Sequence, residues 1–142
     1  MTHWANHYIG KPWEAGRRGP DAYDCYGLVA AVQARHFGRQ LPLVDGIEPT
    51  NHRQVAAAMA RAGYRAGWTP IPATERAEGD IVLMAHARHP SHIGVWLEVD
   101  GGGVLHCVGS LKVGFPTLGV VFSTLPALRL ARWGHLEWWR HE

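Results

Sequence analysis

Cys25 stands at the predicted start of a helix, a position that favours a reactive thiolate. Asp24 is a natural N-cap, and apolar residues recur at helical spacing from Leu28 to Phe37, where Gly38 ends the helix. The unpaired N–H groups and the positive end of the helix dipole both stabilise negative charge there. A thiolate at this position could attack a carbonyl carbon, and the same N–H groups could hold the oxyanion.

Two histidines in the second half of the chain supply the base that such a nucleophile needs. His92 opens the β-rich run HIGVWLEV, and His106 lies in the next run, GVLHCVG. The intervening Asp and Gly residues are typical of a hairpin turn. Strands paired across this turn place the two imidazoles side by side, so that one can orient the other. Gly94 leaves space on the face that carries His92.

Helical patterns in the first half and short strands in the second half predict an α+β fold. Helices are predicted over residues 1–9, 25–37 and 51–62. Strands are predicted over residues 81–85, 92–99, 103–109 and 118–122. We expect these strands to form an antiparallel meander on which the Cys25 helix packs. Residues 68–80 are predicted to be irregular, and the aromatic tail from Arg132 fits a strand and a helix equally well.

The composition is that of one compact domain covering residues 1–142. With 46% hydrophobic residues the chain can bury a core, and its net charge of +2 with scattered Lys and Arg argues against binding to nucleic acid. Two cysteines are too few for a disulfide scaffold. The first residues lack a signal-peptide pattern, and no apolar run reaches the roughly 18 residues that cross a bilayer. We expect synthesis in the cytoplasm and no membrane insertion.

Four short motifs follow one another between residues 9 and 109: IGKPWEAG, PDAYDCYGLV, GDIVLM with SHIGVWL, and VLHCV. In this order they resemble the entry segment, the Asp-Cys-Ser-Gly-Leu nucleophile motif, the His-Val-Gly strand and the third-residue strand of the NlpC-type family. Members of this family are papain-like cysteine peptidases of the bacterial cell wall. The resemblance implies a papain-like fold in which an N-terminal helical part carries the cysteine and an antiparallel β-sheet carries the histidines.

The resemblance also implies a role for each matching residue. Cys25 matches the nucleophile, His92 the general base and His106 the residue that orients the base. Asp24 matches an acidic residue that helps to recognise the substrate amine. No metal ion and no organic cofactor is implied.

Two residues depart from the family's motifs, and both bear on substrate binding. Tyr26 stands where the family has Ser after the cysteine, and we expect it to narrow or reshape the substrate pocket. Trp13 replaces the tyrosine of the entry segment; its indole N–H can donate, but it has no phenol hydroxyl. Tyr8 and Tyr23 are candidates for supplying that hydroxyl. Ser91, directly before the base, is a further candidate for substrate binding.

The function implied by the resemblance is hydrolysis of amide bonds in peptidoglycan stem peptides, between D-glutamate and a diamino acid. The form WEAGRRGPDAYDCYGLV is similar to that of compact versions found in tail modules of bacteriophages and gene-transfer particles. We therefore expect incorporation in a virion tail, a tail hub or tip protein as partner, and action in the periplasm or cell wall. Two alternatives stay open: a catalytically silent tail-assembly protein, and an amidase or acyltransferase that uses the same Cys-His site.

Three other features have a structural interpretation beside a functional one. The HxxHxxH pattern over residues 86–92 suggests zinc, but it straddles a Pro-containing loop and lacks a fourth ligand at a clear spacing. Cys107 is interpreted as a buried structural thiol, because alternation turns it away from the face of His106. Three tryptophans near the end of the chain fit a core and an interface equally well: Trp133, Trp138 and Trp139.

Overall fold

A computed structural model of the chain describes residues 3–41, 67–88, 90–109 and 118–141, which form an α+β fold. The α-helices in these residues are α1 (Cys25–Phe37) and α2 (Leu125–Leu130). The strands are β1 (Trp68–Ile71), β2 (Ile81–Ala85), β3 (His92–Leu97), β4 (Gly103–Val108), β5 (Gly119–Ser123) and β6 (His135–His141). The helix predicted over residues 51–62 lies outside the described residues.

The six strands form one antiparallel sheet in the order β1-β6-β2-β3-β4-β5. The predicted meander is confirmed for β2 to β5, and the aromatic tail forms a strand that inserts between β1 and β2. The prediction that residues 68–80 are irregular is wrong at Trp68–Ile71. Pro70 argues against a strand in the sequence, because proline cannot donate a backbone hydrogen bond. The proline is tolerated here because β1 lies at the edge of the sheet.

The start and end of α1 follow from its capping residues. The Asp24 carboxylate accepts a hydrogen bond from the Gly27 N–H at 2.6 Å. At the other end Gly38 adopts a left-handed φ of 65°, and its N–H donates to the Gln33 carbonyl. The side chains of Leu28, Val29 and Val32 are fully buried in the core between α1 and the sheet. The helix prediction over residues 25–37 is therefore confirmed at both bounds.

The direction of α1 places its N-terminus at the end of the sheet where β3 begins. The Gln33 side-chain amide, in the second half of α1, donates to the Gly79 carbonyl at 2.8 Å. The Gly79 N–H in turn donates to the carbonyl of Trp96, near the end of β3, also at 2.8 Å. Because α1 packs on β3 and β4 and its second half lies beside the end of β3, Cys25 lies toward the start of β3 at His92.

A second apolar cluster covers the other face of the sheet and explains α2. Leu128 of α2 is buried there against strand residues that include Met84 and Trp138. This helix was absent from the sequence-based prediction, although Thr124 caps it and Pro126 lies in its first turn. The helix predicted over residues 1–9 is a shorter 3₁₀-helix, Trp4–His7. None of the helices in the described part of the chain is long and apolar enough to span a membrane.

Candidate active site

The two candidate histidines lie on neighbouring strands and are hydrogen-bonded to each other. His106 pairs with Gly94 in the β3–β4 ladder, which puts the imidazole of His92 diagonally beside it on the same face. His92 Nε2 and His106 Nδ1 are 2.8 Å apart. A Cβ at position 94 would overlap Val104 and lie 3.1 Å from the His106 Cβ. Glycine at this position therefore allows the imidazole pair to form, as the hairpin pattern predicted.

The pair continues to a third residue that the sequence motifs did not single out, Ser123 on β5. His106 Nε2 lies 2.9 Å from the Ser123 hydroxyl oxygen. Burial lowers the pKa of His106 to about 4, so this imidazole is neutral at pH 7. A neutral His106 can accept from the Nε2–H of His92 at Nδ1 and donate from Nε2 to Ser123. With its Nε2–H held by His106, His92 has Nδ1 left to accept a proton.

Ser123 ends the run LGVVFS, and its position in that run is weak evidence that its side chain lies near His106. It lies on the same face as Val121, which pairs with His106, so alternation along β5 selects it. The β4–β5 register is what makes the contact, and nothing in the sequence fixes that register because residues 110–117 intervene.

Cys25 is the first residue of α1, and its surroundings oppose the thiolate. Burial, followed by the negative charge of Asp24, raises the pKa of the thiol to about 12. The N–H groups of Cys25 and Tyr26 lie at the sulfur and lower this pKa, as expected for a helix N-terminus, but their effect is smaller than that of burial. At pH 7 the thiol is therefore neutral until a base takes its proton.

Asp24 joins the start of α1 to the entry segment. Its two carboxylate oxygens accept from different N–H groups, Oδ1 from Gly27 at 2.6 Å and Oδ2 from Gly16 at 2.9 Å. Burial raises the pKa of this carboxyl, while both N–H groups lower it. Gly27 is required at this point because a Cβ there would overlap the Arg17 carbonyl oxygen. The predicted role of Asp24 in substrate recognition would use the lone pairs that these bonds leave.

The entry segment lies along the start of β5, at the same end of the sheet as His92. The Gly10 N–H donates to the Val120 carbonyl, and the Val120 N–H donates to the Lys11 carbonyl, each at 2.9 Å. The Trp13 ring covers the Cα of Gly109, directly after β4, so closely that a Cβ there would overlap it. Trp13 is partly buried and therefore forms part of the wall at this end of the sheet.

The remaining candidate substrate-binding residues occupy different environments. Tyr26 is partly buried and packs against the core beside Cys25. Tyr23 is buried in the core, and the hydroxyl of Tyr8 lies 2.9 Å from His36 Nε2, near the far end of α1. Ser91 is partly buried, and its N–H extends the β2–β3 pairing to the Met84 carbonyl.

Cys107 and two of the three histidines of the HxxHxxH pattern, His86 and His92, lie in the described residues, whereas His89 lies outside them. Cys107 is fully buried on the α1 face of β4, its thiol donates to the Tyr23 carbonyl at 3.2 Å, and both cysteines are free. This confirms the prediction of a buried structural thiol. The imidazole of His86 stacks on Trp133. Residues 3–41, 67–88, 90–109 and 118–141 contain no cluster of three metal-ligating side chains.

The tryptophans near the end of the chain cover the sheet. Trp138 is buried in the second cluster, Trp139 packs against the core on the α1 side, and Trp133 is partly buried. Trp133 also stacks on His92, with ring centroids 5.0 Å apart and ring planes inclined at 17°. This contact makes Trp133 part of the site, which its position in the sequence did not indicate.

A known protein family matches most of the chain, including Cys25 and the imidazole pair. The profile described as the NlpC/P60 family matches residues 10–118, which include the entry segment from Gly10 onward, Cys25, His92 and His106, and end before Ser123 and Trp133. The chain belongs to the NlpC/P60 family. Members of the family are in general cysteine peptidases and amidases that hydrolyse peptidoglycan. No curated protein matches the chain at a significant level.

Solved NlpC/P60 structures share the fold at low sequence identity. The NlpC/p60 domain of the peptidoglycan hydrolase SagA is 17% identical with a TM-score of 0.58, covering 97% of this chain and 92% of that one. NlpC2 from Trichomonas vaginalis is 16% identical with a TM-score of 0.59, covering 96% and 44%. An NLP/P60-family, lipoprotein-like protein from Staphylococcus aureus is 21% identical with a TM-score of 0.52, covering 94% and 38%. The chain thus spans less than half of the last two proteins, and these likenesses establish its papain-like α+β fold.

Proposed function

We propose that this NlpC/P60 chain is a cysteine endopeptidase that hydrolyses amide bonds in peptidoglycan stem peptides, between D-glutamate and a diamino acid. The observation that carries the proposal is the hydrogen-bonded series His92–His106–Ser123, which begins with His92 at the end of the sheet toward which α1 presents Cys25. A nucleophile, a base and a residue that orients the base are the parts that thiol-dependent acyl transfer needs.

The first step needs a base because Cys25 cannot ionise by itself. With a pKa of about 12, only about one thiol in 10⁵ would be ionised at pH 7. His92 takes the thiol proton as the sulfur attacks the amide carbonyl, and a C–S bond forms while the carbonyl π electrons move to oxygen. His106 supports the resulting imidazolium, because its neutral Nδ1 accepts the Nε2–H of His92.

The backbone at the start of α1 and the imidazole of His92 also serve the later steps of the reaction. The N–H groups of Cys25 and Tyr26, which already lie at the sulfur, can stabilise the developing negative charge. The tetrahedral intermediate collapses as the C–N bond breaks and His92 gives its proton to the leaving amine. Water deprotonated by His92 then attacks the thioester, which releases the carboxylic acid and restores the Cys25 thiol.

Digestion of purified peptidoglycan, followed by mass spectrometry of the released fragments, tests this function. We expect the native chain to release fragments with a new D-glutamyl carboxylate and a free diamino-acid amine, and the Cys25→Ala variant to release none. Cys107→Ala is the matched control, because it removes the other thiol, which is fully buried in the core and donates to the Tyr23 carbonyl. Equal cleavage by the native chain and Cys25→Ala would rule out the nucleophile assignment.

The same digestion separates the two alternative functions. An amidase at the glycan–peptide junction would release whole stem peptides, and an acyltransferase would yield products joined to an added amine. A catalytically silent protein would release nothing, and Tyr26 and Trp13 would favour that outcome if they block the cleft. Restoring the family's residue with Tyr26→Ser should then produce cleavage if the bulk of this side chain blocks the substrate.

The proposal extends to incorporation in a virion tail, with a tail hub or tip protein as partner and the cell wall as the place of action. It is supported by the similarity of WEAGRRGPDAYDCYGLV to the compact versions in tail modules. Expression of the tagged chain in the bacterium that encodes it, with purification of induced particles, tests this. Co-sedimentation with tails supports the proposal, and exclusion from purified particles contradicts it.

A further inference from the structure

Trp133, in the loop between α2 and β6, stacks on two imidazoles. Its ring lies on that of His86, with ring centroids 3.7 Å apart and planes inclined at 17°. It also stacks on His92, with centroids 5.0 Å apart and planes again inclined at 17°. The indole therefore links the ring of His86 to that of the proposed general base through two nearly parallel contacts.

Three backbone features hold the indole in this place. The Trp133 N–H donates to the carbonyl of Leu128, a buried residue of α2, at 3.0 Å. The preceding residue, Arg132, adopts a left-handed φ of 68°, and its carbonyl lies 2.9 Å from His86 Nδ1. His86 thus both stacks on the indole and binds the backbone directly before it. The loop is fixed from two elements, α2 and the end of β2.

The stack restrains the one side-chain rotation that would break the His92–His106 bond. The imidazole of His92 can turn about its Cβ–Cγ bond, a torsion that has broad preferences of its own. Its Nε2 reaches His106 in only one orientation, at 2.8 Å. A flat indole lying parallel to the imidazole plane blocks rotation out of that plane and keeps water from that face of the ring.

We propose that Trp133, supported by His86, is a positioning residue that holds the His92 imidazole in its productive orientation. This inference rests on the proposed function for its kinetic consequences, but the orientation of the ring can be measured without any turnover. Without the indole, the ring of His92 samples orientations in which Nε2 is separated from His106 and Nδ1 is misdirected. Small misplacements of catalytic groups cost about 10²-fold in rate.

The test compares Trp133→Leu with Trp133→Phe, which keeps an aromatic plane. Trp139→Leu is the matched control: it makes the same change at a partly buried tryptophan of β6 that packs on the opposite face. The first readout is proton NMR of the His92 Nε2–H in a Cys25→Ala background, where its hydrogen bond to His106 slows exchange with water. We expect this signal to vanish in Trp133→Leu and to persist in Trp133→Phe and Trp139→Leu.

The second readout is steady-state kinetics with a stem-peptide substrate. We expect kcat to fall about 10–100-fold in Trp133→Leu with KM little changed, and Trp133→Phe to recover most of the loss. An unchanged Nε2–H signal in Trp133→Leu, or its equal loss in Trp139→Leu, would overturn the positioning role. If Trp133→Leu does not fold, the His86→Ala variant replaces it, because this change removes the ring that stacks on the indole. A sharp Nε2–H signal that stays fully protected from exchange in His86→Ala would overturn the proposal. Lack of turnover in the native chain would refute the proposed function alone, since the NMR readout stands without it.

Discussion

Burial of His106 should make the stability of this protein depend on pH in a defined direction. Its folded-state pKa is lowered from 6.5 to about 4, so between these values the unfolded chain binds a proton that the folded chain does not. The stabilisation is therefore fully present above pH 6.5. It decreases as the pH falls and is lost by about pH 4, where the folded protein begins to bind the proton too.

The magnitude follows from the difference between the two pKa values. A difference of about 2.5, at 1.36 kcal/mol for each pKa unit, corresponds to about 3 kcal/mol of unfolding free energy. That is a large fraction of the roughly 5–15 kcal/mol that stabilises a domain of this size. The physical cause is the desolvation of an imidazolium, because His106 is buried between β3 and β5 and no carboxylate is hydrogen-bonded to it among the described residues.

Urea unfolding at pH 7.5 and pH 4, followed by tryptophan fluorescence, measures this effect in the His106→Asn variant. Asn can accept a hydrogen bond from His92 but does not titrate. Between pH 7.5 and pH 4 the unfolding free energy of the native chain should therefore fall by about 3 kcal/mol more than that of the variant. Ser123→Ala is the control: it removes the hydrogen-bond partner and leaves the titrating imidazole buried, so it should keep the native pH dependence. If His106→Asn loses as much free energy as the native chain, the reasoning from burial is refuted.

Two further predictions concern the residues that shape the site. Gly94→Ala should lower the unfolding free energy by about 1–3 kcal/mol, as measured by urea unfolding, because the added Cβ would overlap Val104. Gly134→Ala is the control and should cost far less, because its Cβ would make only an ordinary contact. Asp24→Asn should speed iodoacetamide alkylation of Cys25 at pH 9, because the carboxylate charge raises the pKa of that thiol and its removal lowers it. A rate that is unchanged or slower in Asp24→Asn would show that the carboxylate does not oppose ionisation of the thiol.

Local signals in the sequence were sufficient for the parts of the fold that neighbouring residues determine. The start of α1 depends on Asp24, whose carboxylate reaches an N–H only three residues away, and its end depends on Gly38, which tolerates a left-handed φ. The β3–β4 hairpin is likewise local, because a short turn fixes the pairing of its strands. For this reason the imidazole pair of His92 and His106 could be predicted from the spacing of residues alone.

The strand at the sheet edge, the short helix α2 and the aromatic tail were harder to predict from the sequence. Residues 68–71 were predicted to be irregular because Pro70 is a poor strand residue, and only pairing with β6 makes them a strand. The short helix α2 was missed although Thr124 and Pro126 mark its start, because six residues give too little periodicity to detect. The aromatic tail is compatible with helix and strand alike, and pairing with two partner strands decides between them.

The sequence by itself determined that Cys25 lies at the first turn of a helix and that the two histidines lie on adjacent strands, because capping and alternation act over a few residues. Only the tertiary structure decided that Ser123 completes the hydrogen-bonded series and that Trp133 stacks on His92, since these contacts join residues that lie 17 or more positions apart. The same holds for ionisation. The helix N-terminus favours the Cys25 thiolate locally, whereas burial, which only the whole fold creates, outweighs it and raises the pKa of the thiol to about 12.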